Sequence, residues 1–481
     1  MYKNIFSKKT IGNAVAVLAL AFSMTSCDDF VDVVPKGNTI PSTVEDLARL
    51  MNNGTMAQAG DAMELFGISS GTFYCEGLSD DYWFTDDPNS TIYNSYSGLP
   101  FIQNTIVWAE YRYGAAETDM TWDNLYHSTY IANYVIENIG KVEESASVKR
   151  EEVKGRALVF RAMNYFLLTN LYGKQYVKGE ANDALSVPLI LEPSVTEQLP
   201  RATVAEVYNQ IMTDLNEAVS LLKINVSETT NIPSRAAALA LRARVNLWMQ
   251  NYDEAYNDAS AALELKKTLL DYNNLTPMMP GMPMYPIDGY DSNVETNPEI
   301  LWERFIPEHC KCYYSPKMKA IVDTANDLRY RLFIGSYAIA GLLEEYGWTK
   351  HFHSGIDVSE VYLIKAEAAV RKSTKDVNTA LATLNALRKN RYDATTYHDF
   401  EATDAKAVLD EVLKERRREL IYTEMSFMDK KRQTADPSTA QPMERVYKGV
   451  TYTVPVGSPR WQLAIPLNVM AANPKLIQNE R

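Results

Sequence analysis

Over most of this chain apolar residues recur every three to four positions, the spacing of helices that bury one face. Leu158, Ala162, Tyr165 and Phe166 mark one side of a helix over Lys154–Tyr172, with Gly173 as its stop. A shorter helix is predicted over Ser42–Met51 and a longer one over Trp122–Ile139. Thr203 and Glu206 open the helix Thr203–Leu222 with the spacing of a capping box. Leu241, Val245 and Trp248 then repeat at i, i+4, i+7, a turn follows at Asn251, and Ala255, Ala259 and Ala262 line a second helix. Ser234–Leu265 therefore reads as a tetratricopeptide-like helical hairpin. Val358, Tyr362, Ala366 and Ala369, followed by Ala380, Leu384 and Leu387, give a weaker pair over Val358–Arg391. The expected fold is mostly α, with tetratricopeptide-like hairpins, long irregular loops and a few short strands. Such hairpins build surfaces and carry no chemistry of their own.

Three stretches break the pattern. Lys3, Lys8 and Lys9 precede an apolar run, Ile11–Phe22, of 12 residues. That is well short of the roughly 20 needed to span a bilayer; it matches the charged and apolar parts of a secretory signal. Met24-Thr25-Ser26-Cys27 closes the run as a lipoprotein signal does, so cleavage is expected to leave Cys27 as an acylated first residue. From Thr72 to about Thr121 the chain is irregular and aromatic (Tyr74, Tyr82, Trp83, Phe84, Tyr93, Tyr96), and long loops of this kind are commonly functional. Thr276–Asn293, rich in Pro, Met and Gly, reads as an exposed loop because its prolines remove backbone donors.

Composition narrows the function. With 46% hydrophobic and 23% charged residues the chain can bury a large core. Losing the first 26 residues removes three lysines and no acids, taking the formal charge from −13 to −16. An acidic surface repels phosphate backbones, so nucleic acid is not an expected partner. Beyond Cys27 there are Cys75, Cys310 and Cys312, an odd set that makes no disulfide framework. His309-Cys310-Lys311-Cys312 and His351-Phe352-His353 lack the spacing of a structural zinc motif, and neither a metal nor another cofactor is expected. Glu415 and Glu419 lie four apart on one helix beside Arg416, Arg417 and Arg418. That arrangement predicts an ion network fixing helix packing. Glycoside hydrolysis needs a carboxylate pair across a cleft, and no nucleophile elbow, phosphate loop or zinc-protease motif is present, so the chain is not expected to be an enzyme.

Several segments in order resemble the SusD/RagB family of outer-membrane nutrient-binding lipoproteins. They begin with Cys27 and Asp28-Asp29-Phe30, then Trp122-x-x-x-Tyr126-x-x-x-Tyr130-Ile131-Ala132-Asn133. Arg161-Ala162-x-x-Tyr165-Phe166, Leu171-Tyr172-Gly173 and Asn297-Pro298-Glu299-Ile300-Leu301-Trp302 follow. Glu415-Arg416-Arg417-Arg418-Glu419-Leu420, Asp429-x-x-Arg432 and Asn473-Pro474-x-Leu476-x-Gln478-Asn479 complete the set. The resemblance implies a signal peptide at 1–26, a helical N-terminal region at 27–225, the hairpin and Pro/Met-rich loop at 226–298, and a C-terminal region at 299–481. It further implies a surface-exposed lipoprotein of the outer membrane, anchored through Cys27, that binds an oligosaccharide or polysaccharide. The transport partner would be a SusC-type TonB-dependent β-barrel. A peptide-binding RagB-type protein and a tetratricopeptide scaffold of an envelope complex are the alternatives. Sugars offer apolar C–H faces to flat rings, so Tyr82 and Trp83 beside Asp81, with Tyr313, Tyr314, Tyr346 and Trp348, are the candidate ligand contacts. Trp122, Trp248 and Trp302 are expected in the core.

Overall fold

The computed structural model describes residues 40–52, 77–279, 282–288, 297–304, 313–339, 342–347, 355–421, 423 and 425–481. The N-terminal part holds α1 (Val44–Asn52), β1 (Tyr82–Trp83), α2 (Thr91–Tyr96), α3 (Pro100–Ile106), α4 (Met120–Asn138) and α5 (Arg150–Tyr172). A two-stranded ladder of β2 (Leu185–Pro188) and β3 (Arg201–Thr203) leads into α6 (Val204–Leu221). Of the 23 residues of α5, 20 are buried, so this helix is covered on every side and organises its neighbours. At Gly155 a Cβ would come within 2.9 Å of the Leu222 side chain, so glycine here is what lets α5 and the end of α6 approach closely. The capping box at Thr203 and Glu206 forms as the spacing predicts.

The helical hairpin also forms: α7 (Arg235–Trp248) and α8 (Tyr252–Leu265) pack through Ala255, Ala259 and Ala262, all fully buried. Ser234 caps α7, and Arg242 joins Asp258 across the pair at 2.6 Å. After α8 the backbone departs from the expected loop. β4 (Thr276–Met279) and β5 (Met282–Asp288) pair as an antiparallel ribbon, Thr276 opposite Asp288. Its prolines are accommodated because a two-stranded ribbon leaves both outer edges unpaired. Next come β6 (Ile300–Trp302), β7 (Tyr313–Tyr314), α9 (Pro316–Lys319), α10 (Leu328–Phe333) and the hairpin β8 (Ile334–Ile339) and β9 (Leu342–Gly347). The aromatic stretch before α4, also read as loop, contains β1 and two short helices.

β10 (Ile356–Asp357) pairs with β6 and feeds α11 (Val358–Arg371), which with α12 (Val377–Arg388) makes the second helical pair. Helices α13 (Ala405–Glu419) and α14 (Met425–Gln433), the hairpin β11 (Met443–Tyr447) and β12 (Val450–Val454), and α15 (Leu467–Ala472) complete the chain. The stack is continuous: α6 packs on α7, α8 on α11, and α11 on both α12 and α13. Trp122, Trp248 and Trp302 lie in its core, as do Trp108 and Trp461.

Charged residues lock the C-terminal half. Glu415 meets Arg329 at 2.6 Å, Arg418 at 2.7 Å and Arg388 at 2.9 Å; Glu419 meets Arg329 and Arg391. The ion network expected on α13 therefore exists, with a different division of labour. Arg416 reaches Asp429 on α14 and Arg417 reaches Asp81 beside β1, so neutralisation of Glu419 comes from arginines far off in sequence. The C-terminal Gln478-Asn479 is equally explicable. Gln478 exchanges two bonds with the backbone of Ile465, and Asn479 donates to the carbonyls of Tyr172 and Leu463 while accepting from Arg201. Lys431 Nζ adds bonds of 2.6 Å to the carbonyls of Asn170 and Gly173, so the end of α5 is closed by residues from the far end of the chain.

Candidate functional site

Strands β1 and β7 lie about 230 residues apart in sequence yet pair antiparallel, Tyr82 opposite Tyr314 and Trp83 opposite Tyr313. Alternation along a strand then sorts the four aromatics onto two faces. Tyr82 (0% exposed) and Tyr314 (6%) enter a second hydrophobic cluster with Phe84, Tyr96, Ile102 and Ile106. On the other face Trp83 remains 36% exposed, its ring 5.1 Å from that of half-buried Tyr313 at an angle of 67°. Two of the predicted contact residues thus form one aromatic platform, and Tyr82 and Tyr314 lie beneath it.

Asp81 is not part of that surface. It is buried at the foot of β1, where its carboxylate meets Arg417 and, at 3.1 Å, Lys430. Its neighbour Asp80 takes Lys430 at 2.7 Å, Lys317 at 3.0 Å and the amide of Glu444. Burial alone would raise both carboxyls, but the cations outweigh it and hold both below the usual carboxylate range. Asp80 and Asp81 therefore anchor the strand. Neither Lys317 nor Lys430 was singled out in the sequence, since nothing in their spacing points to a partner hundreds of residues away.

Tyr346 lies on β9, opposite Gly335 of β8, and β9 runs beside β7, so its backbone reaches the neighbourhood of Tyr313. Trp348 and Cys27 lie outside the described residues, as do the two His/Cys segments. Beyond Trp83 the chain exposes Asp86, Asp87 and Asn89. Asp87 accepts from both the amide and the side chain of Asn89, at 2.9 and 3.0 Å. Polar groups able to bond hydroxyls thus follow the platform directly in sequence. Among the described residues no group of three or more His, Cys, Asp or Glu is placed to hold a metal ion.

A groove of about 590 Å³, not foreseen from the sequence, runs between α4 and α15 and is lined by Trp122, Tyr126, Ile190, Val195, Leu199 and Val469. Its polar side chains are largely committed to its own walls: Gln198 donates to the carbonyl of Ala472 and Asn473 to that of Leu199. Glu415 is held ionised by its neighbours. Burial pushes its carboxyl up, and Arg329, Arg418 and Arg388 together bring it down to about 2.

Two family models cover much of the chain. One, described as starch-binding associating with outer membrane, matches residues 29–247, and the SusD family model matches residues 356–481. The chain belongs to the SusD/RagB family. The SusD-like protein P25 of Formosa agariphila is 22% identical over 301 residues, 61% of this chain. The chain spans about half of that relative's length, 51%. Solved SusD structures agree over almost everything. A SusD superfamily protein of Bacteroides thetaiotaomicron, 22% identical, aligns over 91% of this chain and 100% of its own with a TM-score of 0.69. A SusD-like carbohydrate binding protein of Bacteroides vulgatus, 16% identical, aligns over 91% and 98% with a TM-score of 0.66. At these identities the structural matches establish the fold, a mostly α SusD-like architecture with short strands.

Proposed function

We propose that this SusD-family protein binds carbohydrate through the Trp83–Tyr313 platform, with Tyr346 and Trp348 of the adjoining segment completing the contact. The observation that carries the reading is the cross-strand pairing that sets Trp83 and Tyr313 side by side on the outer face of β1–β7, 5.1 Å between rings. A surface of two rings suits the C–H faces of successive sugar residues, and the exposed Asp86–Asn89 segment suits their hydroxyls. The description of the N-terminal family model as starch-binding, and of a structural relative as carbohydrate binding, supports the same class of ligand. The protein acts by binding and not by turnover. It is anchored to the outer membrane through Cys27 and hands its glycan to a SusC-type TonB-dependent transporter. A polysaccharide cannot cross lipid, and tethering raises the effective concentration of the binding protein over its pore.

The test is retardation in native gels cast with neutral polysaccharides: starch, xylan, β-glucan, mannan and levan. Retardation by one class, abolished in the Trp83→Ala/Tyr313→Ala double variant, is the expected result. Absence of retardation by all of them, or equal retardation of the double variant, would overturn the platform reading.

A further inference from the structure

Strand β1 is two residues long and pairs with a strand equally short. So small a ladder does not hold its own geometry in water, yet the platform depends on where Trp83 points. The segment before and after Trp83 is instead held by donors from elsewhere in the chain, two side chains and one backbone amide, that grip its carbonyls. Trp108 Nε1 donates to Leu78 at 2.7 Å, the Ser315 amide donates to Asp81 at 2.8 Å, and the Tyr96 hydroxyl donates to Thr85.

The largest grip comes from Arg445, on β11. Its guanidinium donates to the carbonyls of Ser79, Tyr82 (3.3 Å) and Ile106 (2.7 Å), so it holds both ends of the Ser79–Tyr82 turn and ties them to the end of α3. Two rings also pack against the guanidinium, with Phe84 and Trp108 centroids 4.8 and 4.7 Å from its carbon. The residue is 4% exposed. β11 itself is held in register with β12 by the two-residue turn Lys448-Gly449, both at positive φ as a type I′ turn requires. A planar cation with its donors committed to three carbonyls and two rings packed against it is held in one orientation. Tyr82, the residue it holds, is covalently next to Trp83.

We propose that Arg445 is a positioning residue for the binding platform: through Ser79, Tyr82 and Ile106 it fixes the direction in which Trp83 is presented to ligand. The assignment rests on the platform reading above. It predicts that a lysine here fails although the charge is kept, because an ammonium reproduces neither the planar set of three donors nor the packing against two rings.

The experiment uses full-length protein carrying 5-fluorotryptophan, with the Trp83 fluorine resonance assigned by its loss in Trp83→Phe. In Arg445→Lys the Trp83 line is expected to shift or broaden at temperatures where the variant is fully folded by circular dichroism. Affinity for whichever polysaccharide retards the wild type is expected to fall about tenfold. If Arg445→Lys does not fold, Arg445→Met, which leaves no buried charge, is read in the same way. An unmoved Trp83 line with wild-type affinity, accompanied only by a lower unfolding temperature, would assign Arg445 a purely stabilising role and overturn the proposal. Should the wild type bind no polysaccharide, the platform reading fails, while the fluorine spectrum still decides whether Arg445 orients Trp83.

Discussion

Glu367 is fully buried and shared by Arg432 at 2.7 Å and Arg371 at 3.1 Å, with Arg416 a little farther off. Removing the carboxylate strands these cations out of water, so Glu367→Ala is expected to cost about 3–5 kcal/mol. Urea unfolding checks this; a loss under about 1 kcal/mol would mean that water enters to solvate the arginines. The same chemistry fixes the acid limit of the protein. Burial raises the carboxyls of Glu367 and Glu415, but the surrounding guanidinium groups more than reverse it and leave both at about 2, against an ordinary 4.5. The unfolded chain therefore takes up these protons first, and each group stabilises the fold fully above pH 4.5. That contribution drains as pH falls from 4.5 toward 2. Thermal unfolding temperatures should drop steeply through that window. In Glu367→Gln the drop should be shallower, and an equally steep fall would remove Glu367 from the explanation.

At the scale of elements, the end of α5 depends on groups that arrive last in the chain. Lys431→Met leaves the carbonyls of Asn170 and Gly173 without their buried donor, and is expected to cost about 2–4 kcal/mol. Hydrogen exchange should quicken in the last turn of α5 and in residues 463–479 together. Acceleration confined to α14 would show that the two ends are not coupled. Elements of this size were also where the sequence was most readable. The capping box and the alanine-lined hairpin follow from spacing alone, because a helix places its neighbours three and four residues away; in α5 the spacing marked one apolar side, whereas the packing covers the helix all round. The ribbon of β4 and β5 was hidden by its prolines, which argue against a strand inside a sheet and not against an edge. The pairing of β1 with β7 was hidden more deeply. Tyr82, Trp83, Tyr313 and Tyr314 were recognisable as aromatics in irregular stretches, but which two faced outward depends on a register between distant segments, and no local signal encodes it. Asp81 looked like a sugar ligand for the same reason: its partners Arg417 and Lys430 are more than 330 residues away.

For the whole molecule, the helical stack and the ion network build a stiff body, and a small aromatic surface is set on it by Asp80, Asp81 and Arg445. Among the described residues no helix is long and apolar enough to cross a membrane. Gentle solubilisation of the outer membrane with a C-terminally tagged chain is expected to recover a stoichiometric large β-barrel transporter. Recovery with periplasmic assembly factors in its place would favour a scaffold.

The most direct test of the platform is titration calorimetry of the wild type, Trp83→Ala and Tyr313→Ala against an oligosaccharide of the class that retards the wild type. Each variant should bind about tenfold more weakly at a temperature where its unfolding curve shows it fully folded; Trp83, the more exposed ring, should also keep the unfolding temperature close to wild type. Wild-type affinity in both would place the glycan elsewhere on the protein and contradict the account.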